Sequence, residues 1–158
     1  MVLNGLPSRD NLYKRGVPLE SSLSPICLSA EESVDHVLTN YRVAATVWRG
    51  VINWWNLSLP IPPNGTLNSI SSGNSQLQSE SLNMYFMTTR YVTLWSLWLW
   101  RNKVIHSPVD KRGAVLKEDI LASIKALSDH WISNRCKMIQ VDIKDWSKDP
   151  RSIEAKDQ

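Results

Sequence analysis

Cysteine, histidine and phenylalanine are scarce: two, three and one in 158 residues. Two cysteines exclude a disulfide-stapled scaffold, and with so few histidines they leave room for one small metal site at most. The six glycines form no phosphate-binding loop. There is no Asp-Asp pair of the kind polymerase metal sites use and no defensible Ser-His-Asp arrangement, so the sequence does not read as an enzyme. Long apolar runs are also missing. The most membrane-like stretch, Tyr91–Trp100, is ten residues fenced by Arg90 and Arg101, whereas a spanning helix needs about 20. No apolar signal segment opens the chain, so Asn56-Leu57-Ser58 and Asn64-Gly65-Thr66 carry no weight as glycosylation acceptors. The expectation is an intracellular protein, nuclear or cytoplasmic, with reduced thiols.

Tryptophan, by contrast, is abundant, with eight copies. An indole buries a large area but needs a partner for its N–H, which places these residues at core margins and contact surfaces. Hydrophobic residues make up 42% and charged residues 21%, an ordinary globular balance for a chain long enough for one core. The net charge is +3 and the pI about 9.0, a weak lean toward anionic partners. No Lys or Arg lies between Arg49 and Arg90, while 101–137 holds eight against four acids. That basic excess reads first as a solvated helix face.

Along the chain, LPSRDNLYKRGV (6–17) predicts a short helix. Ser8 is its N-cap, Asp10 and Lys14 complement its dipole, and Gly16 ends it in a left-handed turn. Ser29-Ala30-Glu31-Glu32 has the form of a capping box and predicts a second helix from about Ala30 that carries His36. A third, 43–55, follows from Ala44, Val47, Trp48, Val51, Ile52 and Trp55 at three- and four-residue steps. Residues 57–80, rich in Ser, Asn and Pro, read as a flexible linker. Beyond it come a helix over 81–106, apolar on nearly every side, and a last one over 113–138 with the stripe Leu116, Ile120, Ile124, Leu127, Trp131 and Met138. The tail 141–158 alternates charges and is expected to fray. The class is all-α. The expected domains are a helical module over 1–56, the linker, a Trp-rich hairpin over 81–140 and the polar tail.

The chemistry concentrates in SPICLSAEESVDHVLTNY (24–41). Structural zinc takes four N or S ligands, usually starting from Cys-x-x-Cys. Ser24-Pro25-Ile26-Cys27 has that spacing with a hydroxyl in place of the first thiol. His36 follows Cys27 by nine residues, and Tyr41 ends the run with a phenol whose ordinary pKa is about 10. His130 and Cys136 lie about 240° apart around one helix and cannot easily share an ion. Glu32 lies four residues before His36 and suits a capping role better than ligation.

LPSRDNLYKRGV, then SPICLSAEESVDHVLTNYRVAATVW, then INWWN, resembles the zinc-binding region that closes plant LINE-type (non-LTR) retrotransposon reverse transcriptases. Leu6, Pro7, Arg9, Asn11, Leu12, Arg15 and Gly16 match its first helix. Cys27, Glu32, Ser33, His36 and Trp48 match its metal-site region. Trp100, Arg101 and Asn102 in WLWRNKVIH match a segment often found downstream. The resemblance covers most of 6–106 and rests on several motifs in order. It implies a small helical zinc-binding-like module, with Ser24 and Tyr41 standing where the first and last zinc-ligating cysteines belong. Cys27 and His36 are then a vestigial metal pair, and no zinc cofactor is expected.

The function this resemblance implies is a non-catalytic, nucleic-acid-associated module derived from a retrotransposon. Its weak, sequence-independent RNA or DNA contacts are expected at Arg9, Lys14, Arg15, Arg42 and Arg49. Trp95, Trp98 and Trp100 beside Arg101 read either as hairpin core or as a base-stacking platform. The alternative function is a protein–protein helical adaptor working through the Trp-rich helices, or a relic without retained activity. No membrane partner is expected.

Overall fold

Ser8, fully buried, turns the chain into the first helix by accepting the Asn11 N–H (3.4 Å), and Gly16 closes it at φ 77°. The computed structural model describes residues 5–58, 77, 79–135 and 143–152. Among these, the helices are α1 (Arg9–Lys14), α2 (Arg42–Trp54), α3 (Glu80–His106), α4 (Val109–Val115), α5 (Ile120–Arg135) and α6 (Ile143–Lys148). A single wide turn, His36–Asn40, precedes α2. No strand occurs among the described residues beyond one isolated bridge, Leu23–Glu31. The all-α class holds. Most of the expected linker, 59–76 and 78, lies outside the described residues, as do Cys136 and Met138.

The centre of the molecule is α3. Val92, Leu97, Trp98, Trp100 and Val104 are buried on several of its sides, as its lack of a polar face predicts. Thr89 and Thr93, fully buried, satisfy their hydroxyls on the carbonyls of Tyr85 (3.0 Å) and Thr89 (2.8 Å). α2, α5 and the wide turn all pack on α3, so the amino-terminal helices and the hairpin contribute to one apolar cluster. α2 and α5 approach closely at Gly50, where an added Cβ would stand 2.7 Å from Leu121 Cδ2.

Three expectations are corrected. The capping box at Ser29 is not formed. The second helical segment begins at Val34, and Ser33 caps it by accepting the His36 N–H at 3.0 Å. The single helix over 113–138 is broken between Val115 and Ile120. Asp119 caps the restart by accepting the Ala122 N–H (3.0 Å), and Leu116 is left 49% exposed. An Asp that caps a new helix competes with continuing the old one.

The third correction is the tail. Residues 143–148 are helical and Trp146 is fully buried, edge-on to both Trp54 (5.2 Å) and Trp55 (5.8 Å). One indole among alternating charges outweighs them, because burying it removes an aromatic face from water at two sites together. The indoles also tie elements together. Trp48 donates to Leu38 O (2.8 Å), Trp54 to Trp146 O (3.0 Å), Trp100 to Val115 O (3.1 Å) and Trp146 to Lys125 O (2.9 Å).

Candidate functional site

A tight loop carries Cys27. Ser24 N–H donates to Ala30 O (2.8 Å), Leu28 N–H to Ser24 O (2.9 Å) and Glu32 N–H to Ser22 O (3.0 Å). Ser24, 2% exposed, turns its hydroxyl inward and accepts from the amides of Ile26 (3.4 Å) and Cys27 (3.5 Å). Leu28 adopts φ 56°, a left-handed conformation costly for a leucine, and its side chain stays 72% exposed.

The chain then turns back over this loop. Between His36 and Tyr41 the closing bond is Tyr41 N–H to His36 O (2.8 Å), one residue wider than an α-turn. That extra residue brings Tyr41 back against His36, with ring centroids 5.4 Å apart at 90°. Cys27 Sγ lies 3.4 Å from His36 Nε2. The far side of Tyr41 meets Trp100 at 6.0 Å. The four positions singled out by the zinc pattern therefore belong to one small assembly built from the loop, the wide turn and α3.

Their chemistry is not that of a zinc site. Burial pushes the Tyr41 phenol up to about 12, helped by the nearby charges of Cys27 and Glu32, so it stays protonated. Burial also pushes the Cys27 thiol up. Hydrogen bonds from the Ser29 hydroxyl and amide, from His36 and from Ser24 outweigh it and bring the thiol down to about 6. The set offers one thiolate, one imidazole and two alcohols, which does not fit the four N or S donors of a structural zinc. Among the described residues no group of three or more His, Cys, Asp and Glu side chains could hold a metal ion.

Behind this cluster lies a buried ion pair. Glu32, 1% exposed, accepts from Arg101 Nη2, while Arg101 Nη1 donates to Asn102 Oδ1 at 2.9 Å. The Arg101 guanidinium stacks 5.0 Å from the Trp98 ring. Burial pushes the Arg101 pKa down while Glu32 opposes the shift. Glu32 is not the expected cap, and Arg101 follows the hairpin-core reading of the Trp cluster rather than the base-stacking one. Nothing local in the sequence marks them as partners.

The five expected phosphate contacts fall into two groups. On and after α1 the cations are engaged locally. Arg9 donates to Ser21 O (3.0 Å), Lys14 pairs with Asp10 (2.8 Å) and Arg15 donates to Gly5 O (3.2 Å). Arg42 and Arg49 are exposed along one side of α2, with exposed Thr46 and Asn53 on the same line and no acid anywhere in the helix. Neither pairs with a carboxylate among the described residues. Of the Trp cluster, Trp98 and Trp100 are core and Trp95 is 46% exposed. Among the described residues no helix is long and apolar enough to cross a membrane. Compared with protein-family models, curated proteins and solved structures, the chain matches none.

A thiol depressed from 9.0 to about 6 has two measurable consequences. Between those values the unfolded chain binds a proton that the folded chain does not. This group's stabilisation is therefore complete above the unfolded value and drains away as pH falls through the folded one. In a Cys136→Ser background, the rate of iodoacetamide alkylation of the native protein is expected to titrate with a midpoint near 6, and His36→Gln should raise that midpoint. A midpoint in the ordinary thiol range, about 8.5, unmoved by His36→Gln, contradicts the assigned hydrogen bonding.

Proposed function

We propose that the chain is a non-catalytic, nucleic-acid-associated module descended from the zinc-binding tail of a LINE-type reverse transcriptase, in which packing has replaced the metal. The observation that carries this reading is the assembly of Ser24, Cys27, His36 and Tyr41. Residues spaced like zinc ligands meet although two of them cannot serve, which is expected of a site whose fold outlived its ion. The α2 stripe supports anionic contacts. Arg42 and Arg49 are two turns apart, about 10 Å along the axis, and free of competing acids on their own helix. The adaptor reading rests on a different observation, the exposed apolar residues of α3.

Two experiments test the proposal. If two phosphates are neutralised, binding to single-stranded RNA should weaken between about fivefold and tenfold from 50 to 200 mM salt. Arg42→Ala/Arg49→Ala should remove most of both the affinity and the salt slope, and salt-insensitive binding by parent and variant alike would overturn the nucleic-acid role. Separately, Ser24→Cys/Tyr41→Cys should acquire one zinc per chain that survives dialysis. Ser24→Cys alone, which spares the Tyr41–Trp100 contact, should gain weaker binding. No zinc in either variant would overturn the descent from a metal site.

A further inference from the structure

The outward line of α3 is apolar where a solvated helix would be polar. Met84, Tyr91, Trp95 and Leu99 are 48%, 44%, 46% and 42% exposed. Thr88 lies among them with its hydroxyl turned to Met84 O (3.0 Å), so that it presents its methyl group. Single exposed hydrophobics are ordinary. Four in succession along one helix form a contiguous patch of roughly a few hundred Å², within the range of the largest patch on a typical monomer, which is often functional.

These residues follow four-residue ridges, 84 to 88 and 91 to 95 to 99. Two such ridges interdigitate when helices cross at about −50°. The ridge extends to Glu80 at one end and Lys103 at the other, both exposed. The order is self-complementary in one direction only. A twofold axis between Tyr91 and Val92 sets Met84 against Leu99, Thr88 against Trp95, and Glu80 against Lys103. A parallel pairing would instead set Glu80 on Glu80 and Lys103 on Lys103. Because the spacing drifts around the helix, Glu80 and Lys103 stand on opposite flanks, and a crossing that follows the drift turns each toward the other copy.

We propose that this face of α3 binds a second copy of the chain, forming an antiparallel, twofold-symmetric dimer. The same patch meets itself across the axis, as an isologous interface requires. Tyr91 and Trp95 are its centre, where aromatic anchors contribute most. Lys103 Nζ already holds both carboxylate oxygens of Glu118 at 3.0 Å. In the dimer it bridges Glu118 and the Glu80 of the other copy. The buried area falls below the roughly 800 Å² per partner of a standard stable interface, so the dimer is weak, with Kd on the order of 10–100 µM. This inference stands on residues other than the α2 stripe and does not depend on nucleic-acid binding.

The test is sedimentation velocity of the full chain from about 1 to about 500 µM. The expected result is a reversible monomer–dimer equilibrium that Trp95→Glu abolishes. Glu80→Lys should weaken it at least about threefold by placing Lys against Lys, and Glu80→Lys/Lys103→Glu should recover most of that loss. All these positions are exposed, and circular dichroism checks that each variant keeps its helices. A parent that stays monomeric throughout, or dimers unchanged by Trp95→Glu, would overturn the proposal. So would a double charge variant no tighter than Glu80→Lys alone. A monomeric parent whose RNA binding is lost in Trp95→Glu would also overturn it and assign the face to base stacking.

Discussion

The buried pair of Glu32 and Arg101 is the interaction on which the arrangement depends. It joins two parts of the chain separated by 69 residues: the loop that carries Cys27 and the central helix. Taking both charges out of water costs several kcal/mol per ion, and their attraction repays this only with good geometry and further hydrogen bonds. Those supports are present in part. Arg101 also holds Asn102 and stacks on Trp98, while Glu32 Oε2 and Arg101 Nε lack hydrogen-bond partners among the described residues. Such a joint contributes little net stability but fixes where the loop sits. Once the loop is fixed, Cys27 faces His36, Tyr41 lies between His36 and Trp100, and the Asp10 amide reaches Glu32 O at 3.2 Å.

The proposed descent requires that packing can hold the loop without four metal ligands. A structural zinc contributes on the order of 10 kcal/mol or more to a small module folding alone. Here the module does not fold against water alone. Val37, Leu38, Tyr41 and Trp48 are buried, and the wide turn packs on α3. Each fully buried apolar side chain contributes roughly 1.5–3 kcal/mol, so a few of them together reach the same order as the ion. The left-handed Leu28, worth about 1–2 kcal/mol of strain, is tolerated because the surrounding hydrogen bonds determine the turn.

What could be read from the sequence was what is local. The α1 caps, the apolar spacing of α2 and the all-round hydrophobicity of α3 each depend on residues within a few positions, and each element formed where those signals lay. What could not be read depends on distant partners. The capping-box pattern points to Ser29, whereas the cap is Ser33 and Glu32 is turned inward to Arg101. The docking of Trp146 is invisible in the charged tail, since its neighbours Trp54 and Trp55 lie some ninety residues earlier. At the cluster, the spacing of Ser24, Cys27, His36 and Tyr41 was legible and their meeting followed it. The depressed thiol was not, because it needs the Ser29 hydroxyl and amide placed by the fold.

If the loop is held by Glu32 and Arg101, the two residues must act as one unit. A double-mutant cycle of Glu32→Gln and Arg101→Met, read by urea unfolding, measures this directly. Each single change should cost about 3–5 kcal/mol, since it strands a buried charge. The double variant should fall short of the summed cost by about 2 kcal/mol or more. Single changes that cost under about 1 kcal/mol, or costs that add to within about 0.5 kcal/mol, would contradict the claim that the amino-terminal loop is held by this pair.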